Sequence, residues 1–149
     1  MTTTETSATD LQLHVGEPCW ADLVSYDPAA SAAFYTALFG WRVREAPTDL
    51  GDYRYFDLDG RGVGGLMTNQ AEWGTADGWS VFLRTDDVEA TAASAQEHGA
   101  TVLMEPMEVA PNGSFVIVRD PGGAVVSGWQ PGTESGFGVL DEAGSPVHF

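Results

Sequence analysis

The sequence predicts an α+β fold: two β-α-β-β-β units that share one curved mixed sheet, with a helix from each unit on its outer face. Three observations predict it. Asp27-Pro28 opens a segment in which Ala30, Ala33, Phe34, Ala37 and Leu38 recur at helical spacing until Gly40, the order of cap, proline, apolar stripe and stop that marks a helix. Asp86-Asp87 opens a second such segment that runs through His98 to Gly99, and the distance from cap to glycine is 13 residues in the first (Asp27 to Gly40) and 12 in the second (Asp87 to Gly99). Short apolar runs bounded by turn residues flank both helices in the same order, and Asp27 and Asp87 stand 60 residues apart, so the chain carries an internal repeat.

Residues 1–15 hold no sustained period and are expected as a flexible lead-in, in which Leu11 and Leu13 could pair as a short edge strand. The first unit, about residues 16–70, starts with a strand over Pro18–Val24. After its helix come strands at Trp41–Glu45, Tyr53–Leu58 and Gly62–Met67, separated by the Pro47–Asp52 loop and the Asp59-Gly60 turn. The second unit, about residues 78–130, repeats this with strands at Trp79–Thr85, Thr101–Glu105, Ser114–Arg119 and Ala124–Trp129. Residues 16–130 therefore form a single domain, and residues 131–149 are expected as a C-terminal tail.

One unit's sheet is too small to close on itself, so the two copies must complement each other. Strand alternation then divides the faces. Cys19, Ala21 and Leu23, with Val81 and Leu83, turn toward the helices, whereas Trp20, Asp22, Ser80, Phe82 and Arg84 line a trough on the opposite face. Asp22 and Arg84 are the charged members of that set, able to pair across it or to orient a ligand. Tyr53 and Tyr55 share a strand face and offer phenolic donors, and Asp22 and Tyr55 are the acid–base candidates.

Composition removes several function classes. The chain has 149 residues, 43% of them hydrophobic, enough for one core. Lys+Arg number 6 against 22 Asp+Glu, a net charge of -16 that repels phosphate backbones and anionic lipid, so neither nucleic acid nor a membrane surface is expected as a partner. All the cationic side chains are arginines, which excludes a Schiff-base lysine. The single cysteine, Cys19, lies in an apolar run and reads as a buried small hydrophobe. Gly60-Arg61-Gly62-Val63-Gly64-Gly65 precedes no helix and reads as a turn entering a strand rather than a phosphate loop. The segment Met1–Asp10 lacks the features of a signal peptide, and a cytoplasmic location is expected.

The segments Asp27-Pro-Ala-Ala-Ser-Ala-Ala-Phe-Tyr35 with Leu38-Phe-Gly-Trp41, Asp87-Val-Glu-Ala-Thr leading to Gly99-Ala, and Asp120-Pro-Gly-Gly123 resemble the vicinal oxygen chelate superfamily. That superfamily contains glyoxalase I, extradiol dioxygenases, fosfomycin-resistance enzymes and bleomycin-binding proteins, and the resemblance is to an actinobacterial branch without metal ligands. It implies the glyoxalase/bleomycin-resistance-like fold. Metal-using members place a His or Gln seven residues before each helix-start Asp and a Glu on each unit's last strand. Here those positions fall on Trp20, Ser80, Ser127 and Gly65. None supplies a usable donor set, and His14, His98 and His148 are poorly placed to replace them, so neither metal nor cofactor is expected.

The substituted positions suggest an aromatic pocket. Trp20 occupies the trough's centre, Trp129 follows Ser127 by two residues on the same strand face, and Met67 follows Gly65 likewise. The expected ligand-binding set is Trp20, Asp22, Met67, Ser80, Phe82, Arg84, Ser127 and Trp129, and the expected ligand a small aromatic or polycyclic molecule. The leading expectation is metal-independent binding, as in antibiotic sequestration or self-resistance. Alternatives are a metal-free isomerase, cyclase or hydroxylase-type component of a natural-product pathway, and a non-catalytic dimerisation domain. Gly144-Ser-Pro-Val-His-Phe149 matches Gly16-Glu-Pro-Cys-Trp-Ala21 in register, with His148 where Trp20 falls. A homodimer is expected, with residues 137–149 reaching toward the partner or along a sheet edge.

Overall fold

A computed structural model describes residues 11–147. Most of the lead-in and His148 lie outside the described residues. The elements run β1 (Pro18–Ser25), α1 (Pro28–Phe39), β2 (Arg42–Glu45), β3 (Arg54–Leu58), β4 (Arg61–Thr68), β5 (Gly78–Arg84), α2 (Val88–Glu97), β6 (Thr101–Val109), β7 (Gly113–Arg119) and β8 (Val125–Pro131). Both helices start as their caps require. Asp27 accepts from the Ala30 N–H at 3.0 Å and Asp87 from the Ala90 N–H at 2.9 Å, and Gly40 ends α1 in the left-handed region at φ 72°.

The strands form one curved mixed sheet of eight, ordered β2-β3-β4-β1-β5-β8-β7-β6. Each unit closes on a parallel pair, β1 with β4 and β5 with β8, and the units join where β1 runs antiparallel to β5. Both helices cover the same face. Under α1 lie Leu23, Trp41, Phe56, Val63, Leu66 and Val139, with Tyr35 and Ala32 against them; under α2, Val88 and Ala92 meet Val116. Val63 and Leu66 both reach this core although they are three residues apart. A register irregularity between Phe56 and Asp57, opposite Gly64 and Gly62, adds a residue to β4 and turns Gly62 and Gly65 to the helix-free face.

Two expectations are corrected here. Leu11 and Leu13 form no edge strand, because the end of β5 is already satisfied: the Gly16 N–H donates to the Arg84 carbonyl and the Arg84 N–H to the Glu17 carbonyl, both at 2.8 Å. The stretch after β8 does not leave the domain. β1 and β4 pair only from Asp22 and Gly65 onward. Ahead of that point the Phe137 N–H donates to the Cys19 carbonyl and the Gly138 N–H to the Gly62 carbonyl, each at 2.8 Å. The chain thus passes between the two strands, with Phe137 against Trp20 on the helix-free face and Val139 in the core under α1. Apolar burial of Phe137 and Val139, both 3% exposed, explains why it stays. Beyond the crossing, Arg61 grips Glu142 through two hydrogen bonds, and the Trp41 indole donates to the Gly144 carbonyl at 2.6 Å. Among the described residues, no helix is long and apolar enough to cross a membrane.

At the crossing there is no room for a side chain, since a Cβ on Gly138 would stand 2.9 Å from the Gly62 nitrogen. Gly138→Ala is expected to destabilise the fold by about 1–3 kcal/mol. Gly78→Ala, in open space, is expected to stay within about 0.5 kcal/mol of wild type. Urea unfolding compares the two; equal stabilities would show that the segment is not seated between the strands.

Candidate functional site

The helix-free face is assembled by register. Across β1 and β5, Trp20 stands opposite Phe82 and Asp22 opposite Ser80; across β5 and β8, Phe82 neighbours Ser127 and Arg84 neighbours Trp129. On the other flank Asp22 neighbours Gly65, which neighbours Tyr55, while Met67 lies beside Val24 farther along β4. The sequence-derived set therefore shares one face over four adjacent strands, but its members do not all converge. Arg84 turns to Asp86 at 3.6 Å rather than to Asp22, and the Trp129 indole donates to the Glu134 carbonyl at 2.9 Å.

At the centre is a cluster of three side chains. The Tyr53 hydroxyl donates to Asp22 Oδ1 at 2.7 Å, and Trp20 Nε1 donates to the same oxygen at 2.9 Å while also lying 2.9 Å from the Tyr53 oxygen. Gly65 makes the cluster possible, because a Cβ there would overlap both the Tyr53 hydroxyl and Asp22 Oδ1. Both donors serve Oδ1; no described residue is seen to donate to Oδ2. Ser127 Oγ is different: it is the sealed side-chain polar atom without a partner among the described residues, in a residue 2% exposed. Aromatic rings frame these groups. Trp20 meets Tyr55 edge-on at 6.2 Å and Phe137 at 5.6 Å, and Phe82 meets Phe115 at 6.5 Å.

Tyr53, not Tyr55, is the phenol that reaches Asp22; Tyr55 instead lies under the Arg44 guanidinium, 4.2 Å from its ring centre. The sequence placed both phenols on one strand face and chose Tyr55 as the acid–base candidate; β3 starts only at Arg54, and Tyr53, the residue before it, is the one that reaches Asp22. Phe115 and Phe137 were not singled out by the sequence, the first for want of any signal beyond alternation and the second because it lies beyond the last repeat strand. Two concavities lie elsewhere: a groove of about 600 Å³ along α2 that includes Val15 and His98, and an open apolar cavity of about 260 Å³ lined by Tyr35, Phe39, Trp41 and Trp79. Neither contains the Asp22 cluster.

Burial pushes the Asp22 carboxyl up to about 6, although the Tyr53 and Trp20 hydrogen bonds pull the other way. Burial also raises Tyr53 well above the usual phenol range, reinforced by the Asp22 charge, so it remains a donor. Cys19 is raised to about 12 by burial, an unreactive thiol whose Sγ donates to the Phe82 carbonyl at 3.4 Å. Between the ordinary carboxyl value of 3.8 and about 6, the folded chain holds a proton on Asp22 that the unfolded chain has released. Ionising it at higher pH therefore costs stability. Asp22→Asn keeps an oxygen for both donors and removes the charge. Its stability relative to wild type is expected to rise between pH 4 and 6, by the linkage of proton uptake to folding, and to level off at about pH 7. Urea unfolding across that range measures this, and a pH-independent difference would contradict the assigned environment.

Comparison with known proteins agrees with this architecture. The chain is 34% identical over 144 residues to the anthracycline biosynthesis protein DnrV of Streptomyces peucetius, covering 87% of this chain and 52% of the relative. It is 33% identical over 144 residues, with the same coverages, to the anthracycline biosynthesis protein DauV of Streptomyces sp. strain C5. It thus spans about half the length of these curated relatives. Streptomyces coelicolor methylmalonyl-CoA epimerase superposes with a TM-score of 0.57 at 18% identity, over 82% of this chain and 99% of the epimerase, a likeness of fold. Trp20, Ser80, Ser127 and Gly65 do not fit the metal that many members of this fold carry: an indole N–H that donates, two hydroxyls and a glycine do not make a donor set. Among the described residues, no group of three or more His, Cys, Asp or Glu side chains is placed to hold a metal ion. The family model for the Glyoxalase/Bleomycin resistance protein/Dioxygenase superfamily matches residues 13–127, and the chain belongs to that superfamily.

Proposed function

We propose that this chain binds a small planar aromatic molecule on its helix-free face without a metal ion, within the biosynthesis of, or resistance to, a natural product. The observation that carries this reading is Asp22. Its carboxyl is fixed through one oxygen by Tyr53 and Trp20 while the other oxygen takes no hydrogen bond from a described residue. A carboxyl held this way presents a single directed acceptor at the edge of an aromatic surface formed by Trp20, Tyr55 and Phe82, the combination that orients a flat, hydroxyl-bearing ligand. The likeness to two proteins named for anthracycline biosynthesis supports a polycyclic aromatic ligand and hydroxyanthraquinones as probes.

The proposed assembly is a homodimer. Phe34 and Leu38 of α1, with Tyr26 just before it, are 56%, 55% and 57% exposed, apolar side chains that a second copy of the chain would cover. Light scattering at micromolar concentration is expected to give twice the chain mass; a monomer would reject the dimer and leave the ligand site untouched.

Fluorescence titration with 2-hydroxyanthraquinone tests the binding face. Trp20→Ala is expected to weaken affinity at least tenfold, about 1.4 kcal/mol, whereas Trp73→Ala, in the loop between the units, stays within about twofold of wild type. Removing the Trp20 ring costs up to about 3–5 kcal/mol of stability, so circular dichroism must first show both variants folded. Equal affinity for the folded Trp20→Ala variant and wild type would reject this face as the site.

A further inference from the structure

The helix-free face holds two polar side-chain groups left open by the chain itself. Asp22 Oδ2, on β1, takes no hydrogen bond from a described residue, and Ser127 Oγ, on β8, is sealed without a partner. Native interiors seldom leave a buried hydroxyl unpaired, because its lost hydration is then uncompensated. β5 lies between the two strands, and the register runs Asp22 to Ser80 to Phe82 to Ser127: across one strand, two residues along, and across another. Strand spacing and rise put the two residues roughly 12 Å apart along this diagonal. The path between them crosses β5 beside Phe82, so its ends are polar and its middle is apolar and aromatic, while the Trp20 indole lies on the Asp22 side, over Gly62 of β4.

We propose that the ligand is an elongated planar molecule of about three fused rings with an oxygen substituent at each end, a hydroxyl donating to Asp22 Oδ2 and a second oxygen pairing with Ser127 Oγ. This rests on the binding function proposed above and adds the length and polarity of what is bound. The fit is one of chemistry at both ends. An ionised carboxylate oxygen only accepts, so the Asp22 end selects a donor; a serine hydroxyl donates or accepts, so the Ser127 end takes a hydroxyl, a phenolate or a carbonyl. Phe82 and Ile117 are the cross-strand neighbours that flank Ser127, and the Phe82 ring turns aside as the far end of the ligand enters. A molecule with one terminal oxygen pairs with Asp22 alone and leaves Ser127 as unpaired as it is without ligand.

The experiment compares 2,6-dihydroxyanthraquinone, whose hydroxyls lie at opposite ends of three fused rings, with 2-hydroxyanthraquinone, by calorimetric or fluorescence titration of wild type, Ser127→Ala and Asp22→Asn. Wild type is expected to bind the dihydroxy compound at least tenfold more tightly than the monohydroxy compound. Ser127→Ala is expected to bring the two affinities within twofold of each other, and Asp22→Asn to weaken the dihydroxy compound at least fivefold. Equal affinities in wild type, or a preference that survives Ser127→Ala, would overturn the two-ended ligand while leaving aromatic binding in place. If neither compound binds wild type, the binding function itself falls, and this inference with it.

Discussion

The antiparallel pairing of β1 with β5 holds the molecule together. Each unit can satisfy only part of its sheet: β1 takes β4 on one side and β5 takes β8 on one side, both in parallel. Their remaining edges meet each other, and every group of the candidate site is placed by that seam. Trp20 faces Phe82 and Asp22 faces Ser80 because the register is fixed there, and Cys19 Sγ reaches across the same seam to the Phe82 carbonyl. A slip of one residue would exchange the faces, sending Asp22 toward the helices and Ala21 into the site. The buried Cys19, Ala21 and Leu23 on the helix side make such a slip costly, so core packing on one face sets the chemistry on the other.

On that face a carboxyl is retained in surroundings that raise its pKa to about 6. Burying a charge is unfavourable unless hydrogen bonds compensate it, and two donors directed at one oxygen offset part of the cost. Gly65 is the enabling residue, since any side chain there would occupy the place of the Tyr53 hydroxyl. The crossing segment adds a constraint from the other end of the chain. By threading Gly138 between β1 and β4 it places Phe137 on Trp20 and Val139 under α1, so the indole at the centre of the site is held by residues of the first unit and from beyond the last strand.

Much of the architecture was legible because it is written in local chemistry. Asp27 and Asp87 cap helices, Gly40 ends one, and alternating apolar residues from Cys19 to Leu23 mark a strand with one buried face; each acts within a few residues of itself. The repeat then gave the number of strands and their succession along the chain. The parts that were not legible depend on contacts distant in sequence or on broken periodicity. Val63 joins the core only because β4 gains a residue opposite β3, Tyr53 rather than Tyr55 is the phenol that reaches Asp22, and Phe137 is buried against Trp20 of β1, more than a hundred residues earlier. Strict alternation has no term for a bulge, and residues after the last repeat strand offered no period to follow. Composition could assign Asp22 and Ser127 to one face, but only the hydrogen bonds show that one oxygen of the first and the hydroxyl of the second are left over.

The most direct measurement is the indole N–H resonance of Trp20, assigned by comparison with a Trp20→Phe variant and followed by nitrogen-15 NMR as 2,6-dihydroxyanthraquinone is added. This proton points at Asp22 and Tyr53, so a ligand seated on the helix-free face must move it. A saturable shift of the Trp20 signal, with Trp41 and Trp79 beside the α1 cavity unmoved, is the expected result. Shifts confined to Trp41 and Trp79 would place the ligand in that cavity on the helix side and contradict the assignment of the site.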